Sequence, residues 1–163
     1  MLVVGIDPGT ARTGYGLVRE SEQGDVEVVA YGIIQTPAGE TPEKRLLQLY
    51  SELKSLLLLH RPVSGAVEKL FFSRNVTTAI AVGQARGVAL LTLAEIGIDV
   101  GEYTPMEIKQ AVAGYGSADK AQVQLMVKAI LNLDDIPRPD DAADALAVAI
   151  CHLHSSRINR LMA

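Results

Sequence analysis

Leu2-Val3-Val4-Gly5-Ile6-Asp7-Pro8-Gly9 is an apolar run of strand length that stops on an acid and a Pro-Gly turn. Segments 14–20 and 26–35 have the same strand character, and the links between the three runs are short and polar. Short links join antiparallel neighbours, so the three strands are expected to form a meander. Thr41-Pro42 opens a helix over 42–60, in which Leu46, Leu49, Tyr50, Leu53, Leu56, Leu57 and His60 keep one face. Arg61-Pro62 stops it, and 64–71 reads as a buried fourth strand. A right-handed crossover lays that strand parallel to the third and, if it pairs with the free edge of the first, parallel to that one too.

Downstream lie a long helix over 76–96, a short strand over 98–103 and a helix opening at Pro105. A turn at Gly114-Tyr115-Gly116, a helix capped by Ser117 and a last helix capped by Asp140 complete the chain. The result is an α/β chain with a mixed five-stranded sheet flanked by helices, the element order of the ribonuclease H-like fold. No repeat, low-complexity run or linker divides it, so residues 1–163 are expected to form one domain.

The 163 residues are 48% hydrophobic, enough for one core that buries roughly 70% of the chain surface. Fifteen Lys and Arg against 19 Asp and Glu give a net charge of −4, which at face value argues against a nucleic-acid partner. Cys151 has no second cysteine to pair with; it reads as inert core in a reducing compartment. The N-terminus lacks the pattern of a signal peptide, and no run approaches the ~20 apolar residues of a membrane span. The expectation is a soluble, cytoplasmic protein with no membrane role.

Acids interrupt the most apolar elements. Asp7 closes the first strand, and Glu68 lies mid-way along Gly65-Ala66-Val67-Glu68-Lys69-Leu70-Phe71, on the strand placed beside it. Such an acid is costly unless it is paired or holds a metal. In Asp140-Asp141-Ala142-Ala143-Asp144, Asp141 and Asp144 share a face of the first helical turns, where the dipole favours anions. Residues 142–151 are otherwise apolar, so this helix, and Asp144 with it, should be buried. Plainer roles exist: Asp140 as the cap, Asp141 as a dipole partner, Asp7 as a turn former. Asp144 has no comparable plain role. Four carboxylates drawn together repel one another, so the cluster makes sense chiefly as a site for hard divalent cations, Mg²⁺ or Mn²⁺. Two such ions about 4 Å apart serve hydrolytic phosphoryl displacement. A nuclease follows from these residues; its substrate does not.

The same residues lie in stretches that resemble the RuvC-type Holliday junction resolvases of bacteria. They are Gly5-Ile6-Asp7-Pro8-Gly9-Thr10 with Gly14 and Gly16, Glu68 with Phe71, and Gly83-Gln84-Ala85-Arg86-Gly87. Ile108-Lys109-Gln110, Gly114-Tyr115-Gly116-Ser117-Ala118-Asp119-Lys120 and Asp141-Ala142-Ala143-Asp144-Ala145-Leu146-Ala147 follow in family order. The resemblance implies a homodimeric, Mg²⁺-dependent crossover junction endodeoxyribonuclease. Such an enzyme resolves four-way DNA junctions by paired symmetric nicks in recombination and repair, and works with a branch-migration motor. It also implies Asp7, Glu68, Asp141 and Asp144 as catalytic metal ligands, with Mn²⁺ able to substitute. Lys109 and Lys120 would serve the DNA backbone and the scissile phosphate, and Phe71 would stack on bases near the crossover.

Each implied role has a rival. Lys109 and Lys120 can be solvated helix charges, although Lys120 in a first helical turn is well placed for phosphate. Phe71 and Phe72 point to opposite faces if both are in a strand, so one should be core and the other free to stack, worth ~1–3 kcal/mol. Gly83 and Gly87, each costing roughly 1 kcal/mol in a helix, make a small face with Ala79 that should pack closely on the sheet or a dimer mate. His60 is expected at a helix end, and His152 and His154 on the last helix. Two other function classes compete. An actin-like or sugar-kinase-like ATP-binding domain needs a second domain and a phosphate loop that the sequence lacks. A non-catalytic junction-binding module would keep four acids at a cost in stability.

Setting the four proposed ligands aside leaves 15 acids against 15 bases, so the site alone accounts for the deficit. Residues 20–43 hold six acids and no base, whereas 69–94 hold Lys69, Arg74 and Arg86 and no acid. The second stretch follows Glu68, on the side where DNA must lie, so a positive face with Lys69 and Arg74 as DNA contacts is expected around the acidic cleft and a negative far edge, with junction affinity falling steeply as salt rises.

Overall fold

A computed structural model describes residues 1–69 and 76–162, without the side chains of 159–162. The elements are β1 (Leu2–Asp7), β2 (Arg12–Glu20), β3 (Val26–Gln35), α1 (Pro42–His60), β4 (Ser64–Glu68), α2 (Val76–Ile96), β5 (Asp99–Tyr103), α3 (Pro105–Ala113), α4 (Lys120–Ile130) and α5 (Asp140–Met162). The sheet runs β3-β2-β1-β4-β5, antiparallel on the β3 side and parallel from β1 through β4 to β5. It is the mixed five-stranded sheet of a ribonuclease H-like α/β fold, and β4 does take the free edge of β1. Residues 70–75, with Phe71, Phe72 and Arg74, lie outside the described residues.

Strand alternation divides the apolar residues between two cores. On one face Val4, Ile6, Leu17 and Val67 pack with Leu49, Leu53 and Leu57 of α1 and Ala85, Ala89 and Leu93 of α2. On the other, Val3, Val18 and Ala66 meet α3, α4 and the buried run of α5. Asp7 and Glu68 have the parity of Val3 and Ala66, which turns both acids toward α5.

Two glycines let α5 lie directly on the sheet. A Cβ on Gly5 would meet the Ala145 and Ala149 backbones, and one on Gly14 would meet the Asp141 carbonyl. This close approach seats the first turns of α5 over the end of β1.

Several local expectations are corrected. Glu68 ends β4 instead of lying mid-strand. Asp119, not Ser117, caps α4: its carboxylate accepts from the Gln122 N–H while the Gln122 side chain accepts from the Asp119 N–H. The neighbouring Ala118 is packed into the core, which takes the Ser117 segment into the preceding turn. Asp140 is the first residue of α5 and not its cap, because the Pro139 carbonyl already accepts from Ala142 and Ala143. Arg61, at φ 51°, closes α1 by donating to the Leu57 carbonyl.

α2 also departs from expectation. This 21-residue helix contains an 18-residue stretch of mean hydropathy 1.4, long and apolar enough by composition to cross a membrane. It packs instead on the sheet through Ala85, Ala89, Thr92 and Leu93. On the small face Gly87 has open space around it, whereas Ala79 and Gly83 are half-buried. Cys151 is buried as expected, and burial pushes its thiol up to about 11.

Candidate active site: carboxylates at the strand ends

β1 and β4 are parallel neighbours with Ile6 beside Val67, so Asp7 and Glu68 finish adjacent strands at the same edge of the sheet. α5 delivers Asp141 and Asp144 from above. The four acids feel one another. Burial, then Asp144, Glu68 and Asp141, push the Asp7 carboxyl up to about 8. Burial and Asp144 raise Glu68, with Lys109 and Lys120 opposing. Burial raises Asp144 too, against the pull of Lys120. The buried helix thus carries an acid that opens onto a cleft, its side chain 34% exposed.

Two cations of the chain pair with acids of α5. Lys120 Nζ lies 3.1 Å from Asp144 Oδ2 and 3.3 Å from Asp140 Oδ2. Arg12 Nε lies 3.4 Å from Asp141 Oδ2. A cavity of about 250 Å³ beside them is lined by Glu68, Lys109, Lys120 and Asp144, with Ile108 and Val123 among its apolar walls. Of the two lysines singled out from sequence, Lys120 pairs with the acids and Lys109 shares the cavity wall with Glu68.

Among the described residues no three acids, histidines or cysteines are already closed around one ion position. Lys120 engages Asp144, and Arg12 engages Asp141. The donor set itself fits a hard divalent cation: oxygen donors only, concentrated charge, and an Asp7 carboxyl pushed up to about 8 by burial and its acidic neighbours.

Other residues fall differently from expectation. Lys69 is exposed beside the site, with its N–H donating to the Tyr103 carbonyl. Arg86 is largely buried. It turns inward, Nε donating to the Glu68 carbonyl at 3.3 Å and Nη2 pairing with Glu102. His152 is buried away from the acids, between the Tyr103 hydroxyl and Ser64 Oγ, and His154 meets the Ala111 carbonyl. Sequence reasoning missed Arg12. The available signal was parity: Arg12 lies two residues before Gly14 and so shares the α5 side of β2.

The model of the family described as crossover junction endodeoxyribonuclease RuvC matches residues 3–152. The chain belongs to the RuvC family. A curated RuvC relative from Syntrophomonas wolfei is 59% identical over 162 residues, covering 99% of this chain and 94% of that one. Another from Moorella thermoacetica is 57% identical over 152 residues, covering 93% and 90%. The RuvC structure of Thermus thermophilus superposes with a TM-score of 0.90 at 38% identity, covering 98% of this chain and 97% of that one. The same organism's RuvC in complex with Holliday junction substrate gives 0.88 at 35% identity, covering 97% and 96%.

Proposed function

We propose that the chain is an endonuclease that resolves four-way DNA junctions by paired symmetric nicks, with Mg²⁺ as its cofactor. The observation that carries this reading is the meeting of Asp7, Glu68 and Asp144, from three separate elements, with Asp141 and Lys120 beside them. Family membership supplies the junction as substrate. Asp7, Glu68, Asp141 and Asp144 would hold the ions, two per site, with Mn²⁺ able to replace Mg²⁺. Ions held there would supply Lewis-acid polarisation of the phosphodiester and offset the charge that develops in its hydrolysis.

The rest is done by the chain. Lys120, at the mouth of the acidic cleft, would present its ammonium to a phosphate oxygen. Lys109, from the cavity wall, holds the neighbouring backbone. Lys69 lies at the rim. Phe71 and Arg74 are further candidate DNA contacts, outside the described residues.

Two symmetric cuts need two sites. A homodimer across α2 supplies them, and its outward face supports this: Val76, Ile80 and Leu91 are 71%, 60% and 64% exposed, with open space at Gly87 between them. A single nuclease domain, a bacterial cytoplasmic setting and cooperation with a branch-migration motor belong to the same proposal. The test offers a synthetic four-way junction and a linear duplex of matching sequence with Mg²⁺. Paired nicks in the junction alone are expected; an uncut junction overturns the reading, and binding without cutting would favour the non-catalytic module.

A further inference from the structure

Arg86 and the helix that carries it have a place in the site that DNA contact does not explain. We infer that Arg86 is a positioning residue for Glu68, and that α2, through Arg86 at the end of β4 and the Ala81 carbonyl at the loop after β1, sets the spacing of the two strand carboxylates. The inference rests on the proposed metal-dependent reading of the same site.

The geometry is specific. The Arg86 guanidinium spans the ends of two parallel strands, donating from Nε to the Glu68 carbonyl at 3.3 Å and pairing through Nη2 with Glu102 of β5. Its side chain is 20% exposed. It borders a cavity of about 230 Å³, lined also by Asp7, Pro8, Glu68, Val82 and Pro105. One turn earlier on the same helix the Ala81 carbonyl accepts from Thr10 Oγ1 at 2.8 Å, which ties down the loop leaving Asp7. Thr10 is held in turn by Thr36, whose hydroxyl donates to its carbonyl at 2.5 Å.

The consequence is a division of labour between two helices. α5 brings its own two acids, whereas α2 brings none and fixes the strand ends that carry the other two. A guanidinium suits this because its planar fork reaches a carbonyl and a carboxylate at once, which a single ammonium does less well. Groups that orient a ligand in this way typically alter metal affinity by tenfold or more.

The test uses the full chain with Arg86→Met, which keeps the stem but cannot donate, Arg86→Lys and Glu102→Gln. Mn²⁺ affinity is measured on DNA-free protein by paramagnetic resonance, junction affinity in Ca²⁺, and single-turnover cleavage against Mg²⁺ concentration. For Arg86→Met, Mn²⁺ affinity is expected to fall about tenfold and the Mg²⁺ needed for half-maximal rate to rise by the same factor, with junction affinity within about twofold of the parent. Arg86→Lys should recover part of the loss, and Glu102→Gln should show a smaller loss in the same direction. Unchanged Mn²⁺ affinity and Mg²⁺ dependence in Arg86→Met overturn the inference. If that variant fails to fold, unchanged values in Glu102→Gln do so. A parent protein that does not cut junctions defeats the functional reading instead.

Discussion

The Asp141 carbonyl stands where a side chain on Gly14 would be. The contact joins strand to helix at the point where two of the four acids enter the site. Gly14→Ala must push the first turn of α5 off the sheet. A loss of about 1–3 kcal/mol in stability is expected from such overpacking, with weaker Mn²⁺ binding. Gly39→Ala, where nothing lies within 4 Å, is the control and should change neither. Thermal melting and metal titration of the two variants decide the matter.

Much of this arrangement was legible in the sequence. Asp7 and Glu68 stood out because acids are rare in buried strands, and Asp144 because its helix is otherwise apolar. What the sequence did not show is how side chains share charge. Arg86 and Lys69 look alike along the chain, yet one is largely buried and the other lies at the rim of the site, since helix phase and strand-end geometry settle that in three dimensions. The caps of α4 and α5 were misplaced for a similar reason: Ser117 and Asp140 have the right chemistry, but Asp119 and Pro139 have the right backbone position.

Lys120 is engaged with Asp144 and Asp140 while 54% exposed, so its ion pairs contribute little to folding. Lys120→Met is expected to shift stability by less than about 1 kcal/mol and to slow cleavage about 100-fold through the lost charge at the phosphate. Melting curves and single-turnover cleavage under saturating protein measure the two effects separately.

Asp7 gives the metal-free protein a pH dependence of definite sign. Its carboxyl, at 3.8 when unperturbed, is pushed up to about 8 in the fold by burial and by the neighbouring acids. Between those values the folded state holds more protons than the unfolded chain, so stability falls as pH rises through the window. In EDTA the protein should melt higher near pH 5 than near pH 8, and Asp7→Asn should flatten the slope. Added Mg²⁺ should stabilise more at the higher pH, because the ion binds the ionised acid. Equal slopes for parent and variant would contradict the assignment.

The exposed face of α2 predicts self-association. Ile80→Asp with Leu91→Glu places charges on a surface already open to water, so the monomer fold should survive while the dimer dissociates. Light scattering of parent and double variant reads this directly: a halved mass is expected, and an unchanged mass places the interface elsewhere.

The central claim is that these four acids form a cutting site and not merely a binding surface. The most direct measurement compares the parent and Asp7→Asn on a labelled four-way junction, with binding followed in Ca²⁺ and single-turnover cleavage in Mg²⁺. The variant is expected to bind within a few-fold of the parent and to cut at least about 100-fold more slowly; cleavage by Asp7→Asn at the parent rate would contradict the account.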